Sequence, residues 1–134
     1  MALVIPNVGE VVLLSNMLNK VAPQNTVLHL YSNNLTPDEN TVIGDITEVT
    51  STGYSAITLT SSSWTVATGG GVATASYAQQ TYNITTSATV FGYYITNTSG
   101  DLLWLERFSA APFQLPGSGG QILITTQISL NSCT

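Results

Sequence analysis

Apolar residues recur with two different periods along the chain, and the period changes at Pro23. Before this residue, Val11, Leu14, Leu18 and Val21 follow the three- and four-residue spacing of a helix. After it, apolar and polar residues alternate over short runs, which is typical of strands with one buried face. The pattern therefore predicts one N-terminal helix followed by a β-rich body.

The predicted helix has a start signal and a stop signal. Asn7, with Glu10 three residues later, predicts an N-cap and a capping box. Lys20 falls in the last turn and Pro23 lies beyond it. Residues 3–5 predict a short strand or an arm. Further apolar positions widen the helical stripe, so we expect a helix buried on more than one side: Val12, Leu13 and Met17.

Short alternating runs predict the strands. Gly69 to Gly71 predicts a hairpin turn between two of these runs, and Ser99 to Asp101 predicts a second hairpin. In the first run, Leu28 and Leu30 share one face, and His29 and Tyr31 share the other. The predicted strands are 26–32, 53–61, 63–68, 71–78, 88–98, 102–109 and 121–130.

This arrangement predicts an all-β fold, an antiparallel β-sandwich or flattened barrel with one N-terminal helix that caps an end or edge. We expect a single domain over 1–134, with an arm and helix in 1–23 and the sandwich in 24–134. Segment 33–52 is the only long connection. Connections of this length are usually functional or reach outside the fold.

Charge is scarce, at 7% of residues against about 25% in typical soluble domains. The polar surface must come largely from hydroxyl groups, because the chain has 20 Thr and 14 Ser. Scarce charge fits a protein that packs against copies of itself or against partners. With only Lys20 and Arg107 as cations and a net charge of −5, we expect no nucleic-acid partner and no attraction to an anionic membrane.

Targeting and cofactor signals are also missing from the sequence. The first residues lack the basic region of a Sec signal peptide, and no apolar run reaches the roughly 18 residues of a spanning helix. Cys133 is the only cysteine and predicts a terminal thiol without a disulfide. The glycine-rich runs 69–71 and 117–120 are not followed by predicted helices, so we expect turns and no phosphate site. We expect no metal or other cofactor.

The acidic stretch from Asn34 to Glu48 contains four of the seven acidic residues and allows three interpretations. The first is a short capped turn, with Pro37 opening a helical turn and Gly44 and Asp45 forming a second turn. The second is a calcium site, although its spacing differs from that of a calcium-binding loop. The third is a docking arm. The residues concerned are Asp38, Glu39, Asn40, Asp45 and Glu48.

Catalytic chemistry has little support in the residue pattern. A Ser-His-acid system would have to use His29, which lies in the middle of a predicted strand and is better interpreted as a packed or surface residue. Glycosidase chemistry would need Glu106 and a second carboxyl group in a deep pocket. Arg107, beside Glu106, is expected to form an ion pair across an edge or interface.

Aromatic side chains could form a sugar-stacking platform or anchor an interface. On alternating strands, about half of them should instead belong to the core. The pair to consider is Tyr94 and Trp104, which lie on either side of the turn at 99–101. The full set is Trp64, Tyr93, Tyr94, Trp104, Phe108 and Phe113.

The order of these pieces resembles small virion proteins of tailed bacteriophages, a group that includes capsid decoration (cement) proteins and short head or tail appendages. The likeness spans residues 27–131 and rests on loops and strands, with no catalytic motif. It is carried by LTPDENTVIGDITEVTSTGYSAITL, then WTVATGGGVATA, then VFGYYITNTSGDLLWLERFSAAPFQLPGSGGQILITTQISL. The resemblance implies a β-rich, often trimeric protein that binds an assembled shell.

From the resemblance we expect a non-enzymatic capsid decoration protein that stabilises the phage head through contacts between capsomers. Its partners would be itself, as a homotrimer, and the major capsid protein; it would be made in the host cytoplasm and lie on the capsid surface. The alternatives are an appendage domain that binds a host glycan, and a hydrolase. The expected contact arms are 2–6, 33–52 and 110–120. The candidate interface residues are Asp38, Glu39, Asp45, Glu48, Pro112, Phe113, Tyr94 and Trp104.

Overall fold

The computed structural model describes residues 3–131, which contain one helix and eleven strands. All the strand pairings are antiparallel, so the predicted all-β fold with one N-terminal helix is confirmed. The helix is α1 (Asn7–Met17). The strands are β1 (Thr26–Tyr31), β2 (Ile57–Leu59), β3 (Thr65–Gly69), β4 (Val72–Ser76), β5 (Gln80–Ile84), β6 (Ala88–Val90), β7 (Gly92–Asn97), β8 (Leu102–Arg107), β9 (Phe113–Leu115), β10 (Gly120–Ile124) and β11 (Gln127–Asn131).

A four-stranded sheet in the order β2-β1-β7-β8 forms one layer. Leu28 and Leu30 of β1 and Ile95 of β7 are fully buried on its inner side. They belong to the same buried cluster as Tyr82 of β5 and Ile122 of β10, which come from the opposite layer. The hydrophobic core therefore lies between two layers of antiparallel strands.

The opposite layer is built from a two-stranded sheet and a three-stranded sheet. β10 pairs with β5, and beyond a short break β11 pairs with β4, which also pairs with β3. The N–H of Tyr77 donates to the carbonyl of Thr126 over 3.2 Å across this break. This hydrogen bond joins the two sheets across the break. The predicted strand 121–130 is interrupted at residues 125 and 126.

The outer face of the four-stranded sheet is covered as well. Tyr31, Tyr94 and Leu105 are buried there in a second cluster, which includes Leu35 and Ile46 from segment 33–52. This segment therefore packs against its own domain. The faces predicted for residues 26–32 are correct, with Leu28 and Leu30 on the inner side and Tyr31 on the outer side. Because both faces of the central strands are covered, Tyr31 is nevertheless fully buried.

The N-terminal arm covers the free edge of β8. Val4 both donates to and accepts from Leu105, with N···O distances of 2.9 and 3.0 Å. Of residues 3–5, predicted as a short strand or an arm, Val4 forms an isolated bridge to Leu105, and Met1 and Ala2 lie outside the described part of the chain. Covering this edge removes a row of unpaired backbone groups.

Both hairpins predicted from turn residues are confirmed. Gly69 pairs with Val72, and Gly70 and Gly71 between them have φ values of 59° and 80°, which glycine adopts at little cost. The second hairpin joins β7 to β8. Other boundaries were wrong: run 88–98 is broken at Phe91, run 53–61 shrinks to β2, and β5 and β9 were not predicted.

The helix was predicted correctly in position but not in detail. Pro6 occupies the N-cap, and no side chain caps the helix, so the predicted capping box of Asn7 and Glu10 is wrong. The N–H of Asn7 donates instead to the carbonyl of Glu39 at 2.8 Å. The helix ends at Met17, and Asn19 turns the chain with a φ of 55°.

Candidate functional site

An apolar groove of about 720 Å³ lies between α1 and the three-stranded sheet β11-β4-β3. We call it the α1 groove. Trp104 of β8 and Ile128 of β11 line it and also contact the main core, so the groove leads down to the interior of the sandwich. Glu10 is the single charged residue among those that line it. A cleft with this lining favours apolar protein contacts over charged ligands.

The sheet wall of the groove has one apolar face. Val66, Ala75 and Ile128 form one row across the three strands, and the next row on the same face contains Ala73 and Leu130. The rows on the opposite face are mainly polar and consist of Thr65, Ser76 and Gln127, then Ala67, Thr74 and Ser129. This alternation is the pattern of a sheet with one buried face, yet Val66 and Leu130 are 72% and 67% exposed.

The helix wall is held in place by a glycine. Gly9 is the only buried residue of α1, and a Cβ atom on it would lie 2.0 Å from the carbonyl oxygen of Leu103 in β8. The helix backbone therefore rests directly on the strand. Along the groove, Leu13, Leu14 and Met17 project from α1. An isolated glycine inside a helical pattern is the sequence signal that could have indicated this close approach.

α1 carries apolar residues on its outer side as well as on its inner side. Val12 packs against the main core and Leu13 lines the α1 groove, whereas Val11, Leu14 and Leu18 form an exposed apolar crest. The prediction that α1 is buried on more than one side is therefore wrong for the single chain. A helix that is apolar on all sides is normally enclosed by protein. The crest and the adjacent groove together make the largest candidate functional surface of residues 3–131.

In the acidic segment, aspartate side chains accept hydrogen bonds that cap local turns. A side-chain oxygen of Asp38 accepts from the N–H of Asn40 and the hydroxyl of Thr41, at 2.9 and 3.1 Å. A side-chain oxygen of Asp45 accepts from the N–H of Val42 at 3.0 Å. The capped-turn interpretation is correct, although no helix begins at Pro37. Glu39 is exposed, and the structure assigns its side chain no hydrogen bond.

Glu48 belongs to a separate network on the outer face of the four-stranded sheet. Its Oε1 atom lies 2.7 Å from Nδ1 of His29 and also accepts from the hydroxyl of Tyr54 at 2.7 Å. Nε2 of His29 lies 3.0 Å from Oγ1 of Thr96, and the imidazole stacks on Tyr94 with ring centroids 4.5 Å apart. His29 is thus a packed residue that ties segment 33–52 to β1 and β7.

The order Thr96, His29, Glu48 matches the connectivity of a nucleophile, a base and an orienting acid. Thr96, however, is buried, at 4% exposure. The arrangement stabilises the fold in the same way as other buried polar networks.

Burial raises the pKa of five tyrosines. It raises the pKa of Tyr31 to about 12, with the Arg107 cation acting in the opposite direction. Burial is also the main cause of the raised pKa values of Tyr54, Tyr82, Tyr93 and Tyr94. For Tyr54 and Tyr94, the nearby Glu48 carboxylate adds to the effect. Neutral buried phenols of this kind act as structural hydrogen-bond donors.

The predicted pairing of Tyr94 and Trp104 is wrong. Tyr94 is opposite Leu105 and Trp104 is opposite Ile95, so the two rings lie on opposite faces of the sheet. Each residue is 4% exposed. Tyr94 is covered on the outer face, and Trp104 exposes only the small part of its surface that lines the α1 groove. Of the other candidates, Pro112 and Phe113 are exposed at the start of β9, where contact with a partner stays a prediction.

Within residues 3–131 Arg107 forms no salt bridge, so the ion pair expected across an edge is not formed, and one across an interface stays a prediction. Oε2 of Glu106 accepts from the hydroxyl of Tyr93 at 2.9 Å. Nη1 of Arg107 donates to the carbonyl of Leu35 at 3.0 Å, and its guanidinium lies 5.1 Å from the ring centre of Phe91. Successive residues of a strand point to opposite faces, which separates the two charges.

Three further features concern ligands and compartment. Within residues 3–131, no group of three or more His, Cys, Asp or Glu side chains is placed to hold a metal ion. In that same range, no helix is long and apolar enough to cross a membrane. Cys133, expected to be a terminal thiol, lies outside the described residues.

Comparison with known proteins adds no family: no family model, curated protein or solved structure matches the chain. The α1 groove is a candidate functional surface that the sequence pattern did not predict. Its signal is the wide apolar stripe of α1, which predicts burial within the domain.

Proposed function

We propose that this chain is a non-enzymatic structural protein of a tailed-phage particle, a capsid decoration protein that acts by lying against other protein surfaces. The observation that carries the proposal is the exposed apolar crest of α1 beside the α1 groove. Large exposed apolar patches on soluble proteins mark interaction sites. Because the chain has only nine charged residues, this surface favours permanent contact with another protein over exposure to water.

The polar groups support the same function. Asp38 and Asp45 are engaged in capping turns, and Glu48 is engaged by His29 and Tyr54. Three acids of the segment that was expected to form a capped turn, a calcium site or a docking arm therefore help to hold the fold together. Their outward-facing charge can still orient the domain on a basic patch of a shell, since complementary charge contributes to register and association rate more than to affinity.

A decoration protein stabilises a shell because many copies bind to it. Each copy adds a small contact free energy between neighbouring capsomers, and many copies bound at adjacent positions resist dissociation together. In this function, the rigidly capped segment 33–52 and the exposed residues Pro112 and Phe113 would face the major capsid protein. The glycan-binding alternative has less support, because Tyr94 and Trp104 are buried.

The test is the copy number in purified particles, measured by quantitative mass spectrometry and located by electron cryomicroscopy. We expect hundreds of copies at regular positions on the shell. A few tens of copies or fewer at one vertex would replace decoration by an appendage function. Absence of the chain from particles assembled in its presence would overturn the proposal.

A further inference from the structure

We propose that the α1 groove is closed by α1 of a second copy of this chain, in a two-fold pair, an assembly of two chains in place of the three that the resemblance to virion proteins implies. This inference rests on the proposed function, because it names the partner for the surface that carries that function. It assigns the self-association interface to residues of α1, β3 and β11.

The shape of the surface suits a reciprocal contact. The crest (Val11, Leu14 and Leu18) lies beside the groove, and Val66 and Leu130 form the groove's exposed far side. If the crest of one copy lies over the groove of the other, the same contact is made twice. Such an isologous arrangement uses one patch for both partners.

Charge complementarity favours a second copy over an unrelated partner. Glu10 is the only charged residue that lines the groove, and Lys20 lies three residues beyond the end of α1. When two α1 helices cross antiparallel near Ser15, Glu10 of each copy faces Lys20 of the other. The pair therefore neutralises the charges at this surface, although each chain carries a net charge of −5.

The exposed area is sufficient for a specific interface. Six side chains of this surface are more than half exposed: Val11, Leu14, Met17, Leu18, Val66 and Leu130. A side chain of this type carries about 60–120 Å² of apolar area, so the six expose on the order of 400 Å² in one copy. If about 65% of the interface is apolar, as in homodimers, it would cover about 600 Å² per partner. This value lies at the lower end of the range for specific complexes.

Mass measurement by light scattering and sedimentation of the full chain tests the proposal. The wild type is expected to have the mass of two chains. Leu14→Lys places a cation in the crest and is expected to weaken the pair more than about 100-fold, because each partner loses a buried leucine. The new lysine lies four residues after Glu10, which favours the helix, so the monomer should stay folded.

The matched control is Leu123→Lys. Leu123 is 52% exposed on β10 and does not line the groove, whereas Leu14 is 54% exposed. The control should leave the dimer unchanged. The proposal would be overturned if the two substitutions had equal effects or if the dimer survived Leu14→Lys. A wild type with the mass of one or three chains would overturn it as well. Circular dichroism confirms that the variants compared are folded.

A charge exchange tests the antiparallel register. Glu10→Lys or Lys20→Glu alone should weaken the dimer about tenfold, because each change places like charges together at two symmetric positions. The double variant restores both pairs and should recover the wild-type affinity. Failure of the double variant to recover affinity would overturn the two-fold crossing.

The two proposals can fail separately. A chain that dimerises through α1 but is missing from particles would remove the virion function and leave the interface. A chain that decorates particles but has the mass of one chain in solution would remove the α1 interface and leave the virion function. Binding of an apolar peptide in the groove of a monomeric wild type would also overturn the second-copy assignment.

Discussion

Nδ1 of His29 lies 2.7 Å from Oε1 of Glu48, and this contact fastens the end of the long segment 33–52 to the centre of the four-stranded sheet. The same carboxylate oxygen accepts from Tyr54, whose own oxygen accepts from the N–H of Leu30. One acidic side chain thus holds two donors, His29 on the outer face of the sheet and Tyr54, which packs against the main core. Its role is architectural.

We expect Glu48→Ala to lower the free energy of unfolding by about 2 kcal/mol, because the substitution leaves donors on His29 and Tyr54 without their partner. Urea unfolding followed by tryptophan fluorescence measures the change. Glu39→Ala is the control, since Glu39 is exposed, and it should change stability by less than about 0.5 kcal/mol. Equal losses in the two variants would contradict the network described above.

Gly9→Ala separates the effect of packing from that of helix propensity. Propensity alone predicts that alanine stabilises α1 by about 1 kcal/mol. Because its Cβ would lie 2.0 Å from the carbonyl oxygen of Leu103, we expect instead a loss of about 1–3 kcal/mol as α1 shifts away from β8. Thermal and urea unfolding distinguish the two signs.

Gly44→Ala is the matched control for that experiment. No atom lies within 4 Å of the Cβ position at Gly44, and its φ is not positive. This substitution should be neutral within about 0.5 kcal/mol. A gain in stability on Gly9→Ala would mean that the helix does not rest on β8 as described.

Alkaline conditions should unfold the protein through its buried tyrosines. The folded state holds the phenol proton more tightly, since burial raises the pKa of Tyr31 from 10.0 to about 12 and raises the pKa values of four other tyrosines. Stability from these groups is complete below about pH 10 and falls as the pH rises from about 10 towards 12. Tyrosinate absorbance should therefore appear together with the loss of β-sheet circular dichroism. Ionisation of all five near pH 10 in a folded chain would contradict this prediction.

Local chemistry in the sequence determined much of the fold. Gly70 and Gly71 adopt the left-handed turn that their residue type allows, and the alternation on either side of this turn predicted β3 and β4. The period change at Pro23 separated the helix from the strands correctly. These features depend on neighbouring residues along the chain, so a single sequence is sufficient to predict them.

The candidate site depended on which faces the tertiary structure covers. The apolar stripe of α1 predicted burial, but Gly9 brings only one side of the helix onto β8 and leaves Leu14 exposed. Tyr94 and Trp104, close in sequence, are placed on opposite faces by the register of β7 and β8. The hydrophobic period of the sequence shows which residues share one face of a helix or strand. Only contacts between distant segments decide whether that face meets protein or water, because covering it requires another part of the chain, or another copy of it.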